Sequence, residues 1–227
     1  RFSVDALLLA AFAVSRTADV TIRFVDLGTG CGGVGLAYLL LKGNKCRGFG
    51  IDCNPELINV AQKNTAKLGF SDRFALHTGE LADARFLENL RMEASPVQLV
   101  MANPPWRLVG SGRLPATEAR RKALFGDKGT FPLFASAASS LLEEDGRFVC
   151  IISPDRLQDM LAALDGAGLT PYLLQYIHKQ KTSPATFVLI EARKGAHAKP
   201  SVAEPIALYG PERFFTLESL AFCPFLR

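Results

Sequence analysis

No apolar run in this sequence is long enough to span a bilayer. The longest candidate, Ala6 to Val14, falls well short of the roughly 18 to 20 residues required, and Asp5 stands directly before it. No membrane partner is therefore expected. Cysteine is sparse and unpatterned: Cys31, Cys46, Cys53, Cys150 and Cys223 are odd in number, and no two have the two-residue spacing of a zinc knuckle or a redox motif. Reduced, mostly buried thiols of a cytoplasmic protein are expected, with no metal. Histidine is scarcer still, and His77, His178 and His197 lack a nearby pairing of acid and nucleophile, so they read as structural or surface groups. There is no internal repeat and no low-complexity tract. There is also no initiator Met, so the chain is expected to start inside a longer protein or after processing, and no targeting segment is visible. What is present is a chain of 227 residues, 48% hydrophobic and 21% charged, with 19 Gly and 13 Pro. That balance excludes a disulfide miniprotein, a collagen and a disordered tail, and is enough for one large core or at most two. The net charge of +4 is mildly basic and does not by itself identify a nucleic-acid partner.

Hydrophobic segments alternate in type along the chain. Ile22 to Leu27, Gly48 to Asp52, Phe74 to His77, Val97 to Ala102 and Phe148 to Ile152 are short apolar runs bounded by Gly, Pro or charge, and they read as buried parallel strands. Between them, Val34 to Leu41, Pro55 to Leu68, Asp83 to Arg91 and Phe131 to Leu142 read as helices. Asn54 is the expected N-cap with Pro55 at the first helical position, and Gly69 is the expected stop. Asp5 to Val14 reads as a leading helix capped by Ser3 or Asp5. The alternation predicts a doubly wound α/β sheet. After a helix over Asp155 to Leu164 the pattern changes: Tyr172 to His178 and Ala185 to Ala192 are joined by a segment too short for a crossover, which predicts an antiparallel pair. The expected organisation is a single domain over 1–227, with a leading helix in 1–20, a catalytic core in 21–195 and an extension in 196–227 that packs on it.

The first chemical motif is Phe24-Val25-Asp26-Leu27-Gly28-Thr29-Gly30-Cys31-Gly32-Gly33, which runs from a strand into a helix. Its glycines allow a tight turn and a close approach of backbone to ligand, but Gly28, Gly30 and Gly33 also fit the dinucleotide fingerprint. Acids on both sides argue against a nicotinamide cofactor and its oxidoreductases. Asp26 would face a diphosphate unfavourably and suits a ligand bearing an ammonium group. Asp52 ends the second strand, where an acid accepts from ribose hydroxyls, and Glu80 after the third strand can border an adenine ring. A nucleoside with an amino-acid tail fits this set better than a dinucleotide.

The second motif is Asn103-Pro104-Pro105-Trp106 at the end of the fourth strand. In open α/β sheets the loops at the carboxyl ends of strands converge on one crevice, which brings this tetrapeptide to the glycine loop. Two prolines pre-form a rigid turn. The Asn103 side-chain oxygen and the Pro104 carbonyl can then accept both hydrogens of a planar amine, while Trp106 offers a flat face for stacking the attached ring. Two acceptors would let the amine nitrogen become more tetrahedral and would stabilise the positive charge that develops as it attacks a methyl group. Such a reaction needs no metal and no covalent nucleophile.

The glycine loop with its acids resembles the S-adenosylmethionine loop of class I methyltransferases. The tetrapeptide resembles the amino-methyltransferase signature shared by adenine-N6, cytosine-N4 and protein glutamine-N5 enzymes, in which the aromatic is more often Tyr or Phe than Trp. The whole chain is similar to the bacterial tRNA(Val) adenine-N6-methyltransferase family through the opening Arg1 to Ala10, Asp26 to Gly32, Asn103 to Trp106, Gly110-Ser111-Gly112-Arg113, Gly146 to Pro154 and Tyr176-Ile177-His178. The resemblance implies a mostly parallel, seven-stranded Rossmann-like sheet with a C-terminal antiparallel strand pair, and S-adenosyl-L-methionine as cofactor. It implies Asp26, Gly28, Thr29 and Gly30 around the methionine part, Asp52 with Cys53 at the ribose, Glu80 with Leu81 beside the adenine, and Asn103 at the methyl group. Asn103, Pro104, Pro105 and Trp106 would form the catalytic turn, acting on an adenine of a tRNA anticodon loop splayed out of its stack. Charge supports an RNA partner. Between Arg107 and Lys128, Arg107, Arg113, Arg120, Arg121, Lys122 and Lys128 outnumber Glu118 and Asp127 by four, the net charge of the whole chain. Arg107, Arg113, Arg120 and Arg121 are the expected phosphate contacts. A second basic set, Lys179, Lys181, Arg193, Lys194 and Lys199, is either a further contact or a charged hairpin. A monomer is expected. The alternatives are a protein glutamine-N5 enzyme, which would be expected to carry an added helical substrate domain, an rRNA or DNA amino-methyltransferase, or a module that binds cofactor without catalysis.

Overall fold

The structure is a computed structural model and describes residues 3–17, 21–105, 107–108, 125–126, 128–197 and 199–227. In chain order the elements are α1 (Val4–Ser15), β1 (Ile22–Leu27), α2 (Gly33–Lys42), β2 (Cys46–Asp52), α3 (Pro55–Lys67), β3 (Phe74–Thr78), α4 (Ala84–Ala94) and β4 (Leu99–Ala102). They continue with β5 (Arg107–Leu108), β6 (Phe125–Gly126), α5 (Thr130–Leu141), β7 (Arg147–Ile152), α6 (Leu157–Gly166), β8 (Leu169–His178), β9 (Ala185–Lys194), β10 (Ser201–Val202), β11 (Ile206–Ala207) and α7 (Leu217–Phe222).

The apolar runs of β1, β4 and β7 become inner strands because each is buried on both faces, with residues that alternate between two cores, while the edge strand β3 is buried only at Phe74. Phe24, Leu99, Met101, Val149, Ile151 and Leu189 face α1, α2 and α7. Val25, Leu27, Val100, Ala102, Phe148, Cys150 and Ile190 face α4, α5 and α6. The period of two is the strand pleat, and the two apolar sides give three layers. The sheet order is β10-β8-β9-β7-β4-β1-β2-β3, with β11 also on β8. The pairs from β3 through β7 are parallel, while β9 runs antiparallel to β7 and to β8. The expected doubly wound sheet with its antiparallel pair is therefore present. It holds nine strands rather than seven, because the two-residue strands β10 and β11 from the C-terminal extension add to the outer side of β8.

Local signals set the helix ends. Asn54 caps α3 by accepting from the Glu56 backbone N–H, with Pro55 next, and Gly69 ends it in the left-handed region. Asp83 caps α4 through the Arg85 and Phe86 N–H groups. Of the two candidate caps of α1, Ser3 holds the N-cap position, though without a capping side-chain bond, and Asp5 lies inside the helix with its carboxylate bonded to Asn103. The five cysteines form no disulfide; Cys46, Cys150 and Cys223 are buried, Cys31 is half-buried and Cys53 is exposed. Among the described residues no helix is long and apolar enough to cross a membrane.

The winding places the site. From β1 the chain moves outward through β2 and β3, then returns to lay β4 on the other side of β1. That reversal opens a crevice at the carboxyl ends of β1 and β4. Register makes it specific: Leu27 pairs with Ala102 and with Ile51, and Asp52 pairs with Thr78. Gly28, Asn103, Asp52 and Gly79 consequently emerge side by side at one edge of the sheet.

Candidate active site

The glycine loop folds as a strand-to-helix turn held by hydrogen bonds. Gly28, Gly30 and Gly32 have φ of 66°, 56° and 86°, a region that L side chains rarely enter. The Thr29 N–H donates to the Ile51 carbonyl at 2.8 Å, pinning the loop to β2. A Cβ at Gly28 would stand 3.2 Å from the Phe134 ring, whereas at Gly30 it would meet nothing within 4 Å. The loop is thus packed at its start and open at its middle, where a ligand can lie against backbone.

Asp26 is 1% exposed and lies beneath this loop. Its Oδ2 accepts from the Thr29 hydroxyl at 2.7 Å and from the Gly35 N–H, in the first turn of α2, at 3.0 Å. Its Oδ1 is buried without a hydrogen-bond partner. One oxygen therefore builds the loop, and only the other remains for a cationic ligand. Burial raises the carboxyl from 3.8 to about 7, against the lowering effect of the bonds from Thr29 and Gly35. Because the folded-state value exceeds the unfolded one, the stabilising contribution is full below 3.8 and is lost as pH rises through about 7. Asp26→Asn, neutral at every pH, should lack this loss. Between about pH 5 and about pH 8 the melting temperature of the wild type should fall relative to that of the variant, and parallel profiles would show that Asp26 does not titrate there.

Asp52 ties the second strand to the loop. Its Oδ2 accepts from the Gly30 N–H at 2.9 Å and its Oδ1 from the Asn54 N–H at 2.8 Å. Each oxygen keeps a further lone pair on a half-exposed side chain, so it can still receive a hydroxyl. Cys53 next to it is exposed. Glu80 is exposed and its backbone carbonyl accepts from Asp83 N–H, while Leu81 is half-buried against the second core.

Asn103 follows β4 half-buried, with Pro104 buried and Pro105 half-buried behind it. Its Nδ2 donates to Asp5 Oδ2 at 2.9 Å across 98 residues of sequence. Asp5 is the site residue that the sequence did not single out for chemistry; the signal was its place in the opening segment that carries the family resemblance. Trp106, Arg113, Arg120 and Arg121 lie outside the described residues. Arg107 lies in β5, whose backbone pairs in parallel with β6. The second basic set is partly committed within the fold: Arg193 donates to Glu191, and Lys194 donates to the Ser139 and Leu142 carbonyls. For these two the charged-hairpin reading is the better one. His178 Nδ1 is bonded to the Ser183 carbonyl, His77 stacks on Phe49, and His197 is exposed. Among the described residues no three His, Cys, Asp or Glu side chains gather to hold a metal ion.

Comparison with known proteins finds methyltransferase relatives. The chain is 31% identical over 163 residues to a tRNA1(Val) (adenine(37)-N6)-methyltransferase of Porphyromonas gingivalis, covering 70% of this chain and 61% of that protein. It is 28% identical over 189 residues to a release factor glutamine methyltransferase of Rhodospirillum rubrum, covering 79% of this chain and 54% of that one. The chain thus spans roughly half to three-fifths of the length of these relatives. The fold is shared with the crystal structure of a predicted O-methyltransferase from Agrobacterium tumefaciens, with a TM-score of 0.75 at 22% identity over 97% of this chain and 96% of that one. The model of the methyltransferase domain matches residues 18–165, from just before β1 to α6, and so takes in the glycine loop, Asp52 and Asn103: this chain belongs to the methyltransferase domain family.

Proposed function

We propose that this chain is an S-adenosylmethionine-dependent methyltransferase of the cytoplasm that acts on an exocyclic amine, adenine N6 in a tRNA. The observation that carries the reading is the Asn103 side chain at the end of β4, beside the glycine loop, with its Nδ2 turned to Asp5 and its oxygen left as an acceptor. The residues around it suit the cofactor. The buried, unpartnered Asp26 Oδ1 lies where an ammonium group would complete it, the open backbone at Gly30 leaves room for a ligand, and Asp52 retains acceptor capacity for ribose hydroxyls. When bound, S-adenosylmethionine supplies an electrophilic methyl group on a sulfonium and leaves as a neutral thioether. The chain's own part is to hold the amine in line and to bind its hydrogens. With that group bound, the nitrogen lone pair would form the new bond to carbon as the carbon–sulfur pair returned to sulfur, and one N–H proton would leave to water. Asn103 Oδ1 and the Pro104 carbonyl stabilise the charge that passes through nitrogen. Arg107, Arg113, Arg120 and Arg121 would meet phosphates, and Trp106 would stack the base.

The test is methyl transfer from labelled S-adenosylmethionine to total bacterial tRNA, followed by nucleoside analysis. Label in N6-methyladenosine is the expected result. Label in release factor glutamine instead would support the second reading, which the Rhodospirillum relative favours. No transfer to either would refute both. Asp52→Ala should weaken S-adenosylhomocysteine binding about tenfold or more, because it removes a ribose acceptor and unpins Gly30. Calorimetric titration measures this, and unchanged affinity would remove Asp52 from the site.

A further inference from the structure

The contact between Asp5 and Asn103 joins two polar groups, both half-buried, one in the leading helix α1 and the other just after β4. A primary amide can rotate to present either its oxygen or its NH2 group. A carboxylate can only accept, so it selects the orientation in which Nδ2 points to Asp5 and Oδ1 points away. A carboxylate acceptor also polarises the amide, drawing electron density onto its oxygen and strengthening that oxygen as an acceptor. Asp5 is held rigidly. Leu8, Leu9 and Phe12 of α1 are buried against the sheet, and the Leu7 carbonyl accepts from the Cys223 thiol. At the far end of the helix Arg16 reaches the buried Glu191 at 2.6 Å.

We infer that Asp5 is a positioning residue of the methyl-transfer site: it holds the Asn103 amide with its oxygen toward the incoming nucleophile and raises the acceptor strength of that oxygen. The inference rests on the proposed amine methyl transfer and gives a physical reason for its preference for an amine. A site whose amide oxygen is so fixed takes a nucleophile that carries N–H hydrogens to donate. It gains nothing from a thiolate or a ring nitrogen without hydrogen.

The test has two readouts. In ¹⁵N–¹H spectra of the ligand-free chain, the Asn103 Nδ2 pair, assigned by its loss in Asn103→Ala, should carry one proton displaced downfield by the carboxylate. In Asp5→Ala that proton should return upfield; an unmoved pair overturns the inference. In kinetics, Asp5→Ala should lower kcat about 10- to 100-fold, with KM for the amine substrate and affinity for S-adenosylhomocysteine each within about threefold. Asp5→Asn, which keeps an acceptor and loses the charge, should fall between, and it carries the same measurements if Asp5→Ala does not fold. A residue acting through Asn103 should cost nothing further in its absence: in an Asn103→Ala background, Asp5→Ala should change single-turnover rates by less than about twofold. An additive loss, or a rise in KM equal to the loss, would reduce Asp5 to a structural tie and overturn the inference. If the wild type methylates no amine substrate, the proposed function fails by itself, and the Nδ2 shift still decides whether Asp5 sets the amide.

Discussion

Asn103→Ala should lower kcat by about 10²- to 10³-fold and leave affinity for S-adenosylhomocysteine within about threefold. The exocyclic nitrogen of adenine is a weak nucleophile because its lone pair is shared with the ring. Its reactivity rises when acceptors hold its hydrogens out of the ring plane, and positive charge then develops on it during attack. In the proposed reading Asn103 Oδ1 meets that charge on a half-buried side chain, with a buried proline behind it and its amide tied to Asp5. An interaction stronger in the transition state than in the ground state appears in kcat. In the proposed reading the ground-state contacts of the cofactor rest on the glycine loop and Asp52, which Asn103→Ala does not touch. Single-turnover methyl transfer with separate binding titrations checks both halves. Unchanged turnover would remove the acceptor role, and the amine reading would lose its central support.

Glu191→Gln should destabilise the fold by about 2–4 kcal/mol, far more than a surface substitution. Glu191 is completely buried in β9 on the α1 side of the sheet. Its carboxylate accepts from Arg16 at 2.6 Å and from Arg193 at 2.7 Å, and lies 3.4 Å from Arg147. Removing one partner of a buried cluster leaves the others desolvated and uncompensated, here three guanidiniums facing one neutral amide. Each arginine is about a quarter exposed and can recover part of its hydration, which holds the expected cost below the upper range for a wholly buried pair. Arg16→Ala should cost less, because two cations still neutralise the acid. Denaturant unfolding at constant pH measures both. A loss under about 0.5 kcal/mol for Glu191→Gln would show that the cluster is not a stabilising element.

Much of the fold was legible in the sequence because its signals are local. Ile22 to Leu27 is bounded by polar residues and glycine and forms β1 over the same span. Asn54-Pro55 and Gly69 mark a helix whose capping bond and left-handed stop are both present. The short link after His178 predicted the antiparallel pair of β8 and β9. The added strands β10 and β11 were not legible, since two residues carry no periodicity and pair only because β8 leaves an open side. The dual use of Asp26 was hidden for a similar reason. An acid before a glycine loop announces a ligand, but its bond to Gly35 requires α2 to fold back over it.

By itself the sequence determined the class of fold, the glycine loop with its two acids and the Asn-Pro-Pro turn, since each depends on neighbours within a few residues. Only the tertiary structure decided that Asp5 meets Asn103 and that Arg16, Arg147 and Arg193 converge on Glu191. Such contacts are set by register and by the face on which α1 packs. A helix at the start of the chain reaches a strand end 98 residues later because both bury the same apolar layer, and the hydrogen bond then forms where that packing leaves their polar ends.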